Sequence, residues 1–333
     1  MRRREFLQAA ALAAPALLGA AARLPTATGA AAVAAQRRAP LALATADTEG
    51  FVAVVDLAAG RRVARVRTLD APRSIECRGA GPAVIAHTAA GAVTILERDG
   101  GGGVAVRRVL RGFDESRYTA IAPDGRLAYV TDSGAGEVAV VDLVRARVLR
   151  RVAVGALARH VTLDPAGRTL WVALGSSARR IVVADVGRDP ARPRVVRHVA
   201  PPFLAHDVAF APGGRRVWVT AGRERRFAIY AASGHHPIRV LPADAPPQHV
   251  SFGTDRAFVA SGEEPSLAVH GLRDGARRRR TATPLGSYNV QQAAGRVLTP
   301  SLNHGTLTVL DPDGRVLRQV RVAPAAHDAC VVR

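Results

Sequence analysis

From residue 41 onward, short apolar runs alternate with polar positions at period two and are interrupted by Pro-Asp-Gly or Pro-Gly-Gly turns. That is the pattern of half-buried strands joined by tight turns. The clearest unit contains Pro123-Asp124-Gly125, then Tyr129-Val130-Thr131-Asp132, then Val138-Ala139-Val140-Val141-Asp142. It recurs around Trp171 and Trp218, and more faintly around Leu43, Ile85, Phe258 and Leu298. The central apolar residues of the copies are Leu43, Ile85, Val130, Val172, Val219, Val259 and Leu298, spaced 39 to 47 residues apart. A period of about 40–45 residues with four short strands per unit predicts a β-propeller blade.

With strands lettered a to d from the ring centre outward, blade five is predicted at 207–211, 216–221, 226–231 and 237–241. Inner strands are expected near residues 74, 118, 160, 207, 249, 289 and 328. The repeats begin at Leu41 in register with a b strand, and the chain ends on His327-Asp328, which aligns with His206-Asp207 at the start of an a strand. The expectation is therefore an all-β, seven-bladed propeller over residues 36–333, with four-stranded antiparallel blades. Its C-terminal strand closes blade one, whose other strands come from residues 41–68, and no sheet edge is left open at the seam. Asp56, Asp142, Asp185 and Asp311 end c strands and are predicted to cap the following turns.

The sequence resembles the YVTN-repeat β-propeller family, through Tyr129-Val130-Thr131-Asp132 and its flanking turn and strand. The likeness covers about residues 41–333 and is clearest in blades three to five, with Asp132 standing where the family tetrapeptide has asparagine. It implies a propeller and, commonly, a non-catalytic binding or interaction role in the cell envelope. The motif is structural and specifies no activity.

Candidate chemistry gathers where each a strand begins, at the channel mouth. In blade order the residue pairs are His327-Asp328, Arg73-Ser74, Arg117-Tyr118, Arg159-His160, His206-Asp207, Gln248-His249 and Tyr288-Asn289. Two ligand chemistries fit. His160, His206, His249 and His327 are candidates to gather a metal ion, with Asp207 orienting them and His87 and His304 as further donors. Alternatively, Arg73, Arg117 and Arg159 line a polar cup for an anionic or sugar-like ligand, with Tyr118, Tyr288 and Asn289 adding hydrogen bonds. The polar ring also stands without any ligand, as a hydrated channel mouth. If the site is catalytic, as in a lactonase-like hydrolase or a metal-dependent oxidoreductase, His206, Asp207, His327 and Asp328 are the candidate bases. No other cofactor is expected, and no nucleophile elbow, P-loop or haem-attachment motif occurs.

Charge changes the picture less than its size suggests. All 47 basic residues of this 333-residue chain are arginine, for a net +20. A surface selected to grip phosphates uses lysine as well, so the bias argues against nucleic acid as the partner. A small molecule or protein at the channel mouth is expected instead, on a monomer. The four arginines at 277–280 read as a solvated outer edge strand. Cys77 and Cys330 fall on facing sides of neighbouring inner strands, where either a seam disulfide or two separate thiols is consistent with the pattern.

The N-terminus differs. Arg3-Arg4-Glu5-Phe6-Leu7, followed by an apolar run over 9–22, matches a twin-arginine signal, with small-residue cleavage sites near 22 or 34. Residues 1–35 are read as leader and linker, and the mature protein as periplasmic or extracellular. No apolar stretch reaches the roughly 20 residues that span a bilayer.

Overall fold

Strands b and c of each blade are apolar on both faces, so they need cover on both sides, and adjacent sheets supply it. In blade five, Arg216–Thr220 and Arg226–Ala231 are almost wholly buried, while the outer Pro237–Pro242 is largely exposed. In the computed structural model, which describes residues 40–175 and 179–333, this pattern repeats seven times. Twenty-eight strands form seven four-stranded antiparallel sheets, each a meander from the channel outward. The leader expected in residues 1–35 lies outside the described residues. No helix among those described is long and apolar enough to cross a membrane.

The ring closes as the sequence predicts. Ala326–Val332 pairs with Leu41–Ala46 as the inner strand of blade one, with Leu43 opposite Cys330 and Leu41 opposite Val332. In every blade the c–d ladder slips by one residue near the start of strand d, as at Ile229/Tyr230 in blade five. Such bulges sharpen the local twist. The four predicted caps form: Asp56, Asp142, Asp185 and Asp311 each accept at least one backbone N–H from the turn that follows.

Cys77 and Cys330 meet across the boundary between blades one and two, in one hydrophobic cluster. Both are free thiols; Cys77 donates to the Val331 carbonyl at 3.1 Å, and burial pushes the Cys330 thiol up. In the arginine run at 277–280, Arg277, Arg278 and Arg280 pair with Asp244, Asp274 and Glu264, as a solvated edge would.

The Tyr129–Asp132 tetrapeptide now has a physical account. The Tyr129 ring is buried, and its hydroxyl donates to the Pro190 carbonyl at 2.9 Å. Val130 fills the core. Thr131 accepts from the Tyr118 amide at 3.0 Å and donates to the Arg159 carbonyl of the next blade at 2.5 Å. Asp132 accepts from the amides of Asp114 and Glu115. Thr220 repeats the latch in blade five, accepting from the Asp207 amide at 3.1 Å and donating to the Gln248 carbonyl at 2.6 Å. These threonines fix the backbone where the polar pairs enter the channel.

Candidate functional site

The hub is layered. At the mouth stand Arg73, Arg117 and Arg159. Arg73 pairs with Asp47 at 2.8 Å and Arg117 with Glu115 at 3.1 Å. Arg159 has no carboxylate partner among the described residues; burial and the nearby charges of Arg117 and Arg73 push its pKa down, which Tyr118 opposes. Tyr288 packs against Gly262, whose φ of 76° and missing Cβ make room for the ring.

Below the arginines lie three histidines from consecutive blades. His160, His206 and His249 are buried, and their candidate donor atoms all lie within 4.8 Å of one another. Ring centroids are 4.6 Å apart for His160–His206 and His160–His249, and 5.5 Å for His206–His249. Gly222 permits this approach, since a Cβ there would sit 2.7 Å from that of His206. Neither ring nitrogen of His160 makes a well-formed hydrogen bond. Desolvation, reinforced by neighbouring imidazoles and Arg159, holds His160 and His206 well below the usual histidine range, so both are neutral with lone pairs available. The Tyr118 ring lies 4.0 Å from that of His160, and its hydroxyl is 3.4 Å from His249 Nε2. Burial raises the Tyr118 phenol to about 12. Asp207 Oδ2 is 3.5 Å from His249 Nδ1.

His327, a fourth candidate donor, stands apart from this cluster. Its Nδ1 donates to the Arg73 carbonyl at 2.8 Å, and Asn289 donates to the His327 carbonyl at 2.8 Å. His87 is elsewhere, bonded to Thr94 and the Asp70 carbonyl, and His304 is exposed on a loop. Asp207 and Asp328 are both committed to backbone. Asp207 accepts from Val208 and from Val250 of the next blade; Asp328 does the same with Ala329 and Ile75.

Beneath the histidines is a chamber of about 230 Å³, lined by Glu76, Thr162, Ser251, Gln291 and Asp328 with Tyr118 above. Burial first, then the Asp328 charge, raises Glu76 to about 8, against a 3.2 Å hydrogen bond from Gln291. Burial likewise raises Asp328 to about 6. Sequence reasoning missed Glu76 and Gln291, although both sit two positions beyond a hub residue (Ser74 and Asn289). On a strand that spacing returns the side chain to the same face. Arg223, on a b–c loop at the mouth end of the ring, lines a cavity there, a direction that no periodicity reveals.

No protein-family model matches the chain, and neither does any curated protein. Solved structures do. A protein of unknown function from Desulfotomaculum acetoxidans superimposes with a TM-score of 0.74 at 10% identity, covering 88% of this chain and 99% of that one. A Bacteroides uniformis protein provisionally named a 6-phosphogluconolactonase gives 0.73 at 12% identity, with coverage of 88% and 100%. Its namesake from Bacteroides fragilis gives 0.71 at 11%, with coverage of 89% and 98%. At these identities the likeness shows the fold alone.

Proposed function

We propose that the hub is a metal-dependent small-molecule site, in which His160, His206 and His249 hold one divalent transition-metal ion and a ligand enters from the channel mouth. One observation carries this reading: three buried imidazoles converge, and neither nitrogen of His160 makes a well-formed hydrogen bond among the described residues. Leaving a buried polar group unpaired costs about 1–3 kcal/mol; a metal bond removes that cost for one ring nitrogen, and the other keeps its contact with the His206 backbone. With metal–nitrogen bonds of about 2.0–2.1 Å, tetrahedral ligand atoms lie roughly 3.3 Å apart, so the rings draw inward modestly on loading. Three protein ligands leave one position open, as catalytic rather than structural zinc sites do. Asp207 Oδ2 stands 3.5 Å from His249 Nδ1, placed to orient the ring when a metal takes Nε2.

A metal in this position polarises a bound carbonyl or lowers the pKa of bound water. The chain supplies the rest. Tyr118, with its phenol near 12, stays protonated and donates a hydrogen bond, while Arg159 offers positive charge at the mouth. Two structural neighbours carry provisional lactonase names, and ester hydrolysis is the catalytic form of this reading; ligand capture without turnover is its simpler form. The leader read from residues 1–35 places the site, in the same reading, outside the cytoplasm.

The test is metal content. Protein stripped with chelator and titrated with Co²⁺ should take up one equivalent with visible d–d absorption. His160→Ala and His249→Ala should lower affinity by at least about 100-fold, since even outer-shell changes cost about 10–100-fold. His327→Ala should keep the site. Binding that survives in His160→Ala, or no binding by the folded parent, overturns the proposal.

A further inference from the structure

At the channel mouth, among residues of blades three, four and five, lies a second cavity of about 430 Å³, and we infer that it is an anion subsite taking the carboxylate or phosphate head of a small organic ligand. Arg117, Arg159 and Arg223 line it together with Ser133, Leu157 and Leu204, and among the described residues no carboxylate does. This inference rests on the hub being a small-molecule site, but not on the metal.

The cavity is built, not incidental. The Nε atoms of Arg117 and Arg159 are buried and have no hydrogen-bond partner among the described residues. Arg117 is countered by Glu115, whereas no carboxylate lies within ion-pair distance of Arg159 or Arg223 among the described residues. The backbone that carries two of these arginines is held in place. Thr131 holds the Arg159 carbonyl at 2.5 Å, and the Arg159 amide donates to the Ala173 carbonyl at 2.9 Å. Ser74 of the neighbouring blade holds the Arg117 carbonyl at 2.5 Å. Burial first, then the charges of Arg117 and Arg73, weaken the hold of Arg159 on its proton.

The lip of the cavity adds a second constraint. Leu157 is held at φ 63°, in the left-handed region that leucine avoids, and is 47% exposed. Strained, exposed apolar residues gather at ligand clamps. With Leu204 it offers an apolar contact to the carbon skeleton of a ligand whose head engages the guanidiniums. Arginine forks bind carboxylate and phosphate in two-pronged fashion, and the volume lies toward the small end of the usual pocket range of about 300–1,000 Å³.

The probes are inorganic phosphate and succinate, added to metal-free protein and followed by calorimetry and melting temperature. At least one should bind, and Arg159→Gln and Arg223→Gln should each weaken it by on the order of 10-fold or more, the worth of a charged hydrogen bond. Arg150→Gln, an exposed outer-strand control, should leave it unchanged and so exclude diffuse attraction to a basic protein. Without ligand, Arg159→Gln should keep or raise the melting temperature, because repulsion is relieved; a merely structural arginine would lower it. Failure of both probes to bind, or equal weakening in all three variants, overturns the inference. Co²⁺ titration of the same samples reports separately on the histidine site, so the two readings can fail independently.

Discussion

In blade five, Ala205-His206-Asp207 leads into the inner strand; in blade one, Ala326-His327-Asp328 begins the strand that closes the ring. The two aspartates do the same work. Each accepts from the amide that follows it at 2.8 Å and from an amide in the next blade at 3.0 Å, Val250 for Asp207 and Ile75 for Asp328. The two histidines part ways. His206 lies between His160 and His249, contributed by the flanking blades. His327 meets the Arg73 carbonyl on one side and Asn289 on the other. The repeat dictates how backbone is joined to backbone, and the neighbouring blades dictate what a side chain at the same height can do.

The sharpest break of this symmetry lies in the chain itself. Blade five draws its four strands from one continuous segment, whereas blade one borrows its inner strand from the far end. Deleting residues 324–333 should therefore abolish folding. It exposes the edge of Leu41–Ala46 and opens the cluster that joins Leu43, Ile85 and Cys330. Loss of the cooperative melting transition checks this; a truncated protein that melts like its parent would refute the closure.

That closure was legible in the residues, because Leu41 falls in a b-strand position and His327-Asp328 in an a-strand position. The height of the hub residues was legible too, since equivalent repeat positions reach the channel at equivalent depth. Which side chains then meet was not. Four histidines share one level, but only rotamers and neighbours set His327 onto the Arg73 carbonyl. The paired role of Asp207 and Asp328 was hidden for a related reason: their partners, Val250 and Ile75, are backbone amides, and no side-chain pattern marks an amide. The two cysteines could be placed on facing sides by counting, because offset along a strand is geometry the period supplies.

A smaller effect comes from the aspartates. Asp207→Ala and Asp328→Ala each leave two buried amides without an acceptor, at about 1–3 kcal/mol apiece, so each should lose about 2–6 kcal/mol in urea denaturation. Their stability costs should match while their metal affinities diverge. Asp207→Ala should weaken Co²⁺ binding by about 10–100-fold through His249, and Asp328→Ala should not. If Asp328→Ala weakened metal binding as much, the two halves of the hub would not be distinct.

The smallest effect distinguishes the two regions by pH. The chamber on the blade-one side holds Glu76, raised from 4.5 to about 8, and Asp328, raised from 3.8 to about 6. For such acids the folded state keeps a proton that the unfolded chain releases. Their contribution is full below the unfolded values and declines as pH rises, through about 8 for Glu76. The histidines act oppositely: with His160, His206 and His327 depressed, stability grows as pH rises toward 6.5 and is lost on acidification. The parent's profile mixes both, and Glu76→Gln removes the Glu76 part of the acid component and leaves that of Asp328, while retaining an amide that can still meet Gln291. Relative to the parent, this variant should be close to neutral near pH 5 and more stable near pH 8.5, by a few degrees in melting temperature. Glu76 is partly exposed to the chamber, and water there screens the charge and keeps the effect small. A difference in melting temperature that stays constant between those two conditions would mean that Glu76 ionises as freely in the chamber as it does in the unfolded chain.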